Sequence, residues 1–234
     1  MTFTVVAPAY NEQAVIARFV EDVCPVLGDT DELLVVDDGS TDQTPGLLAD
    51  LAATYERLRV ITHPVNRGLG AALATGFAAA SLDVVVTMDA DLSHPKELIP
   101  VLVMSCETAD AAFASRFVRG GAMDDVPRLR AWISRTGNAL LRVLLRVPVH
   151  DMTTGFRAYR RASVEGLSLR GTRFETQLEI TVRLVHNKAR IVEVPFALRP
   201  RAAGESKMRY LSLLPAYGAM TMRMIGLRWL GIGA

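Results

Sequence analysis

From Phe3 to Phe117 the chain alternates between short apolar runs and stretches with helical spacing, and few folds accept that alternation. FTVVAPA, ELLVVDDGS, LRVITHP, DVVVTMDAD and DAAFASRF read as strands. Between them, QAVIARFVEDVCPVL, DQTPGLLADLAATYE, GAALATGFAAAS and PKELIPVLVMSCET carry apolar residues at helical intervals. Thr44 before Pro45, and Pro95, mark helix starts. The strand runs are apolar throughout, as in strands covered on both faces. This order predicts an α/β fold with a mainly parallel central sheet flanked by helices. The chain has 234 residues, half of them hydrophobic, which suits one large domain. No linker rich in Gly or Pro divides it.

In sheets of this kind the ligand lies beyond the carboxyl ends of the strands. Here those ends carry PAYNE, VDDGS, DADLS and ASR. In VVVTMDADLSHP an apolar and β-branched run from Val84 to Met88 delivers Asp89 and Asp91 where the strand leaves the core. Two carboxylates so placed suit a shared Mg²⁺ or Mn²⁺ that also holds a diphosphate. The plainer alternative is a turn in which Asp91 and Ser93 cap the helix at Pro95. In VDDGSTD, a turn accounts for Gly39, Ser40 and Asp42, but not for Asp37 and Asp38 in a row. An acid at a buried strand end calls for a donor, such as a base or a ribose hydroxyl. NRGLGAALATG fits a dinucleotide loop only in part, because Leu73 stands at the third glycine of the pattern. Arg67, at that helix start, is a sensible diphosphate contact.

The second half changes character. PRLRAWISRTGNALLRVLLRV is an amphipathic helix with an apolar stripe of Leu129, Trp132, Ile133, Leu140, Val143, Leu144 and Val147. Arg130, Ser134 and Asn138 recur every fourth residue on a different stripe. HDMTTGFRAYRR reads as a turn and short strand, FETQLEITVRLVHNKA as a helix, RIVEVPFALRP as a strand and RAAGESKMRY as a basic loop. Charge divides likewise: residues 1–114 sum to −12, residues 115–173 to +8 with arginine and no lysine, and residues 174–234 to +5. Arginine without lysine favours bidentate binding of phosphate, the alternative being a basic surface beside anionic lipid or a partner protein.

Cys24 and Cys106 sit in no metal or redox spacing and read as reduced, buried thiols of a cytosolic protein. MTFTVVAPAY reads as a strand, so no signal peptide is expected. Histidines 63, 94, 150 and 186 form no ligand pattern and read as ordinary surface or turn residues. From Tyr210 to Ala234 the tail is apolar but is broken by Pro215 and Arg223, too short a run to span a membrane. It reads either as a helix on a membrane surface or partner, or as a terminal helix packed on the domain.

PAYNE, VDDGSTD, NRGLGAA, MDADLSHP, ASRFVRGG, ISRTGN, DMTTGFRAYRR and RAAGESKM stand in an order that resembles the dolichol-phosphate mannosyltransferases, family 2 glycosyltransferases with a GT-A fold. The resemblance runs from about residue 4 to about 210. It implies a single GT-A catalytic domain over 1–209, followed by an apolar helical tail over 210–234. It implies a nucleotide-sugar donor, usually GDP-mannose, an Mg²⁺ or Mn²⁺ ion, a polyprenyl phosphate acceptor, and no nucleic-acid partner. Carried over by motif, Pro8, Ala9, Tyr10, Glu12, Val36 and Asp38 resemble the nucleoside pocket. Arg67, Asp89 and Ala90 complete the donor site, and Asp89, Asp91 and Ser93 the metal site. Arg116, Arg130 and Ser134 resemble the clamp on the acceptor phosphate, and Arg201 and Lys207 the loop closing over the diphosphate. The resemblance places the protein in the cytoplasm at a membrane face, as a peripheral protein or with a small membrane partner. The chain departs from the family pattern at three places. Ser93 stands where some members have Gln and Arg67 where many have Lys, while Phe174-Glu175-Thr176-Gln177 exchanges the acid and amide of F-Q-x-E, near the sugar. Rival readings are transfer of glucose or an aminosugar from a UDP-sugar, a soluble phosphate acceptor, a nicotinamide-dependent oxidoreductase, and a non-catalytic nucleotide-binding subunit.

Overall fold

The computed structural model describes residues 1–123, 126–198 and 210–230, the side chains of 210–214 and 230 excepted. In chain order the elements are β1 (Phe3–Ala9), α1 (Ile16–Val23), β2 (Glu32–Asp37), α2 (Thr44–Thr54), β3 (Leu58–Thr62), α3 (Leu69–Ala79), β4 (Val84–Thr87), α4 (Ile99–Ser105), β5 (Ala111–Ser115), α5 (Arg128–Leu145), β6 (Arg157–Arg160), α6 (Arg161–Val164), α7 (Glu175–His186), β7 (Ile191–Pro195) and α8 (Tyr210–Ile225). The strands form one sheet in the order β3-β2-β1-β4-β6-β5-β7.

The apolar runs are explained by the two cores they feed. Val5, Ala7, Leu33, Val35 and Val86 meet Phe19 of α1, Leu48 of α2 and Leu102 of α4 on one face. Val6, Leu34, Val36 and Val85 meet Phe77 of α3, Leu178 of α7 and Met224 of α8 on the other. Successive strand residues point to opposite faces, so a sheet covered twice needs apolar residues at every position. Each such side chain contributes about 1.5–3 kcal/mol on burial.

The expected mainly parallel sheet is present, with one exception: β6 runs antiparallel to both β4 and β5. An antiparallel strand begins where its parallel neighbours end. The loop before β6 therefore lies at the same rim as the carboxyl ends of β1, β2, β4 and β5, and the Thr87 hydroxyl donates to the Gly155 carbonyl there (2.8 Å). Thr44 is the first residue of α2 rather than its cap: the N-cap position is Gln43, Asp42 Oδ1 just before it accepts the Thr44 amide (2.9 Å), and Thr44 Oγ1 accepts the Glu12 amide (2.9 Å).

The apolar stripe of α5 does not face a core. Leu129, Trp132, Ile133, Leu140, Val143 and Leu144 are exposed, and the helix is anchored through Asn138 and Leu145 instead. Val147, just beyond the helix, is buried. The C-terminal helix α8 packs on the domain, with Met220, Met224 and, beyond its end, Leu227 buried beside α7. No helix among the described residues is long and apolar enough to cross a membrane.

Both cysteines are free and buried, as expected. Burial pushes the Cys106 thiol up to about 11. At pH 8 only about one such thiol in a thousand is the reactive thiolate. Cys106 should therefore resist a maleimide in the folded protein and react in denaturant, read as mass added before and after unfolding. Rapid labelling of both thiols in the native state would contradict this burial.

Candidate active site

A cleft of about 320 Å³ opens at the rim, between the ends of β1, β2 and β4 on one side and the segment before α7 on the other. Pro8, Ala9, Tyr10 and Glu12 line it from the loop after β1, and Asp38 from the end of β2. Asp89, Ala90 and Asp91 line it from the end of β4. Eight residues named from sequence thus meet in one cavity. Two of its rim loops hold non-glycine residues at left-handed φ, Asn11 (52°) and Leu92 (63°). Such backbone costs on the order of 1–3 kcal/mol and persists where the surroundings dictate it.

Asp38 is held firmly. Its Oδ1 accepts the Arg67 amide (3.0 Å) and its Oδ2 the Gly68 amide (2.7 Å). His63 Nδ1 lies 2.7 Å from Oδ1, and its Nε2 2.9 Å from Thr75 Oγ1. Since the carboxylate accepts, Nδ1 carries the proton in this contact. Of the histidines expected on the surface or in turns, His63 and His94 lie in loops outside the named elements, His63 buried in this network and His94 in another. Histidine spacing along the chain carries no trace of either partner.

Asp89 and Asp91 differ in setting. The Asp89 side chain is 36% exposed. Its amide donates to His94 Nδ1 (3.1 Å), and His94 stacks on Phe156 at 4.9 Å and 10°. A Cβ on Gly155 would come within 2.9 Å of Asp89 Oδ1, so the loop before β6 forms the wall behind that carboxylate. Asp91 is buried, and its Oδ1 accepts the Ser93 amide (3.0 Å). Among the described residues no three His, Cys, Asp or Glu side chains converge on a metal. A closed protein cage is thereby excluded among them. The donor set fits Mg²⁺ or Mn²⁺ held by two carboxylates and completed by phosphate oxygens and water.

The far wall depends on glycine. Gly68 has φ +89°, and a Cβ there would collide with the Thr172 carbonyl; a Cβ on Gly70 would collide with that of Gly171. This close approach of α3 brings Thr172, Arg173 and Phe174 over the cleft. Just inside α7, Glu175 Oε1 accepts the Thr172 and Arg173 amides (3.0 and 3.1 Å). Its Oε2 and Gln177 Oε1 are buried without a hydrogen-bond partner among the described residues. The segment with exchanged acid and amide therefore sits beside the cleft.

Arg116 follows β5 on the same rim. Its Nε and Nη2 meet Asp151 Oδ2 and Oδ1, each at 2.7 Å, and Nη2 also donates to Thr153 Oγ1 (2.9 Å). Asp151 is fully buried. Burial alone would raise its pKa, but the charge and hydrogen bonds of Arg116 outweigh this and hold it below the usual carboxylate range. One edge of the Arg116 fork is thus committed to Asp151, a partner 35 residues away that sequence reading missed. From the row Arg130, Ser134, Asn138 it is Asn138 that reaches this pair's neighbour: its Nδ2 donates to Thr153 Oγ1 (3.1 Å) and to the Ser134 carbonyl one turn back (2.9 Å).

Three other expected residues are placed differently. Val36 is wholly buried in the core behind the cleft, because its side chain points to the α3 face. Arg67 lines a neighbouring groove with Ala71, Thr75 and Arg170, and serves the cleft through its amide on Asp38. Ser93 is buried outside the cleft lining and reaches the site through its amide on Asp91. Arg201 and Lys207 lie outside the described residues.

A mostly parallel sheet whose rim joins a nucleoside-sized cleft to a D-x-D pair has the architecture of the GT-A glycosyltransferases. Residues 4–167 match glycosyl transferase family 2, and the chain belongs to that family. It is 40% identical over 217 residues to a polyprenol monophosphomannose synthase of Mycolicibacterium smegmatis, covering 87% of this chain and 80% of that one. It is 37% identical over 213 residues to a dolichol-phosphate mannosyltransferase of Pyrococcus furiosus, covering 89% of this chain and 60% of that one. Among solved structures, glucosyl-3-phosphoglycerate synthase of Mycobacterium tuberculosis with Mn²⁺, UDP-glucose and phosphoglyceric acid superposes with a TM-score of 0.74 at 26% identity. That match covers 96% of this chain and 80% of the other. The same enzyme is also known with Mg²⁺ and UDP.

Proposed function

We propose that the protein transfers mannose from GDP-mannose to a polyprenyl phosphate, with inversion at the anomeric carbon, at the cytoplasmic face of a membrane. The observation that carries this is the rim itself. A cleft lined by Pro8, Tyr10, Glu12 and Asp38 runs into Asp89 and Asp91, and on the same rim Arg116 is locked by Asp151 and Thr153, which Asn138 of α5 also meets. The mannosyltransferase relatives support the choice of sugar and acceptor.

The chemistry asks little of an acid or base. An acceptor phosphate carries about −1.5 to −2 charge near pH 7 and is itself the nucleophile. Arg116, Arg130 and Ser134 hold it in line with the anomeric carbon, converting an encounter into a positioned attack. Because Asp151 already occupies one edge of Arg116, the fork is oriented before the phosphate arrives. The leaving nucleoside diphosphate gains negative charge as the glycosidic bond breaks, and Arg201 and Lys207 are assigned to it. A divalent cation held by Asp89 and Asp91 would neutralise part of the same charge.

A second reading is favoured by the exchange at Glu175 and Gln177 together with the UDP-glucose bound in the solved neighbour. In that reading the donor is a UDP-sugar carrying glucose or an aminosugar, and the acceptor is lipid or soluble. Both are tested by nucleoside diphosphate release from a panel of GDP- and UDP-sugars with Mg²⁺ or Mn²⁺, with and without a short polyprenyl phosphate. Release from GDP-mannose that requires the lipid phosphate and inverts the anomeric configuration is expected. Release only from a UDP-sugar, or a product of retained configuration, would refute the reading.

A further inference from the structure

The acid at the end of β2 is set by a residue that does not itself border the cleft. His63, just after β3, is buried at 5% exposure and is absent from the cleft lining. Its amide donates to the Asp37 carbonyl (2.8 Å), so its backbone is fixed to the residue before Asp38. Its ring bridges two segments, with Nδ1 2.7 Å from Asp38 Oδ1 and Nε2 2.9 Å from Thr75 Oγ1 of α3. A hydroxyl can give or take a proton, so Thr75 braces the ring in either form of Nε2. With both nitrogens engaged, the imidazole cannot turn without losing a hydrogen bond.

What this does to Asp38 follows from its acceptor sites. An ionised carboxylate offers about four. Oδ1 receives the His63 ring and the Arg67 amide, and Oδ2 receives the Gly68 amide. Among the described residues these three contacts leave one site, on Oδ2. Asp38 borders the cleft, and that site is what it has left to offer a ligand. The terminal torsion of an aspartate is broad. The two amides give it one bond on each oxygen, both from the start of α3. His63 supplies the third bond, from a different segment, and fills the last room on Oδ1.

We infer that His63 is a positioning residue of the nucleoside pocket: its Nδ1–H fixes the Asp38 carboxylate so that Oδ2 presents a single acceptor to one N–H or hydroxyl of the donor's nucleoside. It touches no substrate and takes no part in the transfer step. The inference rests on the reading above only in that the cleft binds a nucleoside diphosphate, whichever base and sugar this carries.

The test is calorimetric binding of GDP and of UDP, each with Mn²⁺, to the full chain. In His63→Ala the affinity for the nucleotide that the wild type prefers should fall roughly tenfold or more, since a hydrogen bond to a charged acceptor is lost. His63→Asn puts an amide nitrogen where Nδ1 stands and gives up Thr75. His63→Gln puts one nearer the place of Nε2 and gives up Asp38. The Asn variant should stay within about threefold of the wild type and the Gln variant should lose as much as Ala, although their thermal midpoints fall alike. In transfer assays the loss should appear in the donor KM, with kcat at saturating donor nearly unchanged. Wild-type affinity in His63→Ala would overturn the inference. So would Asn and Gln variants that weaken equally and in step with their thermal midpoints, the mark of a purely structural histidine. If His63→Ala does not fold, the Asn and Gln pair decides alone. Wild-type protein that binds UDP and not GDP would refute the mannose donor and leave the role of His63 standing, whereas binding of neither would refute both.

Discussion

Replacing Asp91 by asparagine should lower sugar transfer by roughly 10²–10³ while leaving the fold intact. Asparagine keeps the size of the side chain, and its Oδ1 can still accept the Ser93 amide that braces the native carboxylate. What it removes is one negative charge from the pair at the end of β4. In the proposed reaction that charge faces the place where a cation and the leaving diphosphate would meet, so its loss would act on charge that develops in the transition state. The signature separating this from general damage is a metal dependence. The Mn²⁺ concentration giving half-maximal nucleoside diphosphate release should rise about tenfold or more, with the thermal midpoint nearly unchanged. An Asp91→Asn enzyme with normal rate at ordinary Mn²⁺ would remove this residue from the site.

The second large effect is on stability. Asp151→Asn leaves Arg116 held by the same groups but without a counter-charge in a buried place, and breaking such a pair costs about 3–5 kcal/mol. In a chain of this size that corresponds to a fall of roughly 6–20 °C in the thermal midpoint. The pH dependence carries the mechanism. Asp151 has a folded pKa below its unfolded value of about 3.9. Its contribution is therefore fully present above about pH 4 and disappears as pH falls through the lower, folded value. The wild-type curve of unfolding free energy should drop across that acid window. In Asp151→Asn the curve should start lower and be flatter there. Parallel curves would show that the carboxylate is not the group titrating. Because Asp151 orients Arg116 rather than touching the acceptor, the variant should also raise the acceptor KM more than the donor KM.

The cleft assigned to the donor was legible because each piece stands at the end of a strand that the apolar pattern marks. Pro8–Tyr10, Asp38 and Asp89–Asp91 come from strands whose order follows from parallel α/β rules, so their convergence in one cleft could be anticipated. The acceptor half was less so. RAYR has no feature that states its direction, yet its antiparallel run is what brings Asp151 and Gly155 to the rim. A buried ion pair between Arg116 and Asp151 is a long-range fact, visible only once β5 and the loop before β6 are side by side. The α5 stripe shows a limit of another kind. Periodicity reports that one face is apolar, but not whether protein covers it. Val36 teaches the converse, since a residue next to a site motif can point to the opposite face of the sheet.

The position of β6 also orders events during synthesis. The partner of β4 on that side is made 70 to 76 residues later, as the register of Thr87 with Arg157 and of Val84 with Arg160 shows. Until Arg160 has left the ribosome, β4 has an open edge of unpaired amides and carbonyls in the middle of an apolar sheet. Such an edge recruits other strands. A nascent chain halted before residue 150 would hold most of its nucleoside pocket while lacking the wall behind Asp89. It would be a candidate for chaperone capture rather than for early function.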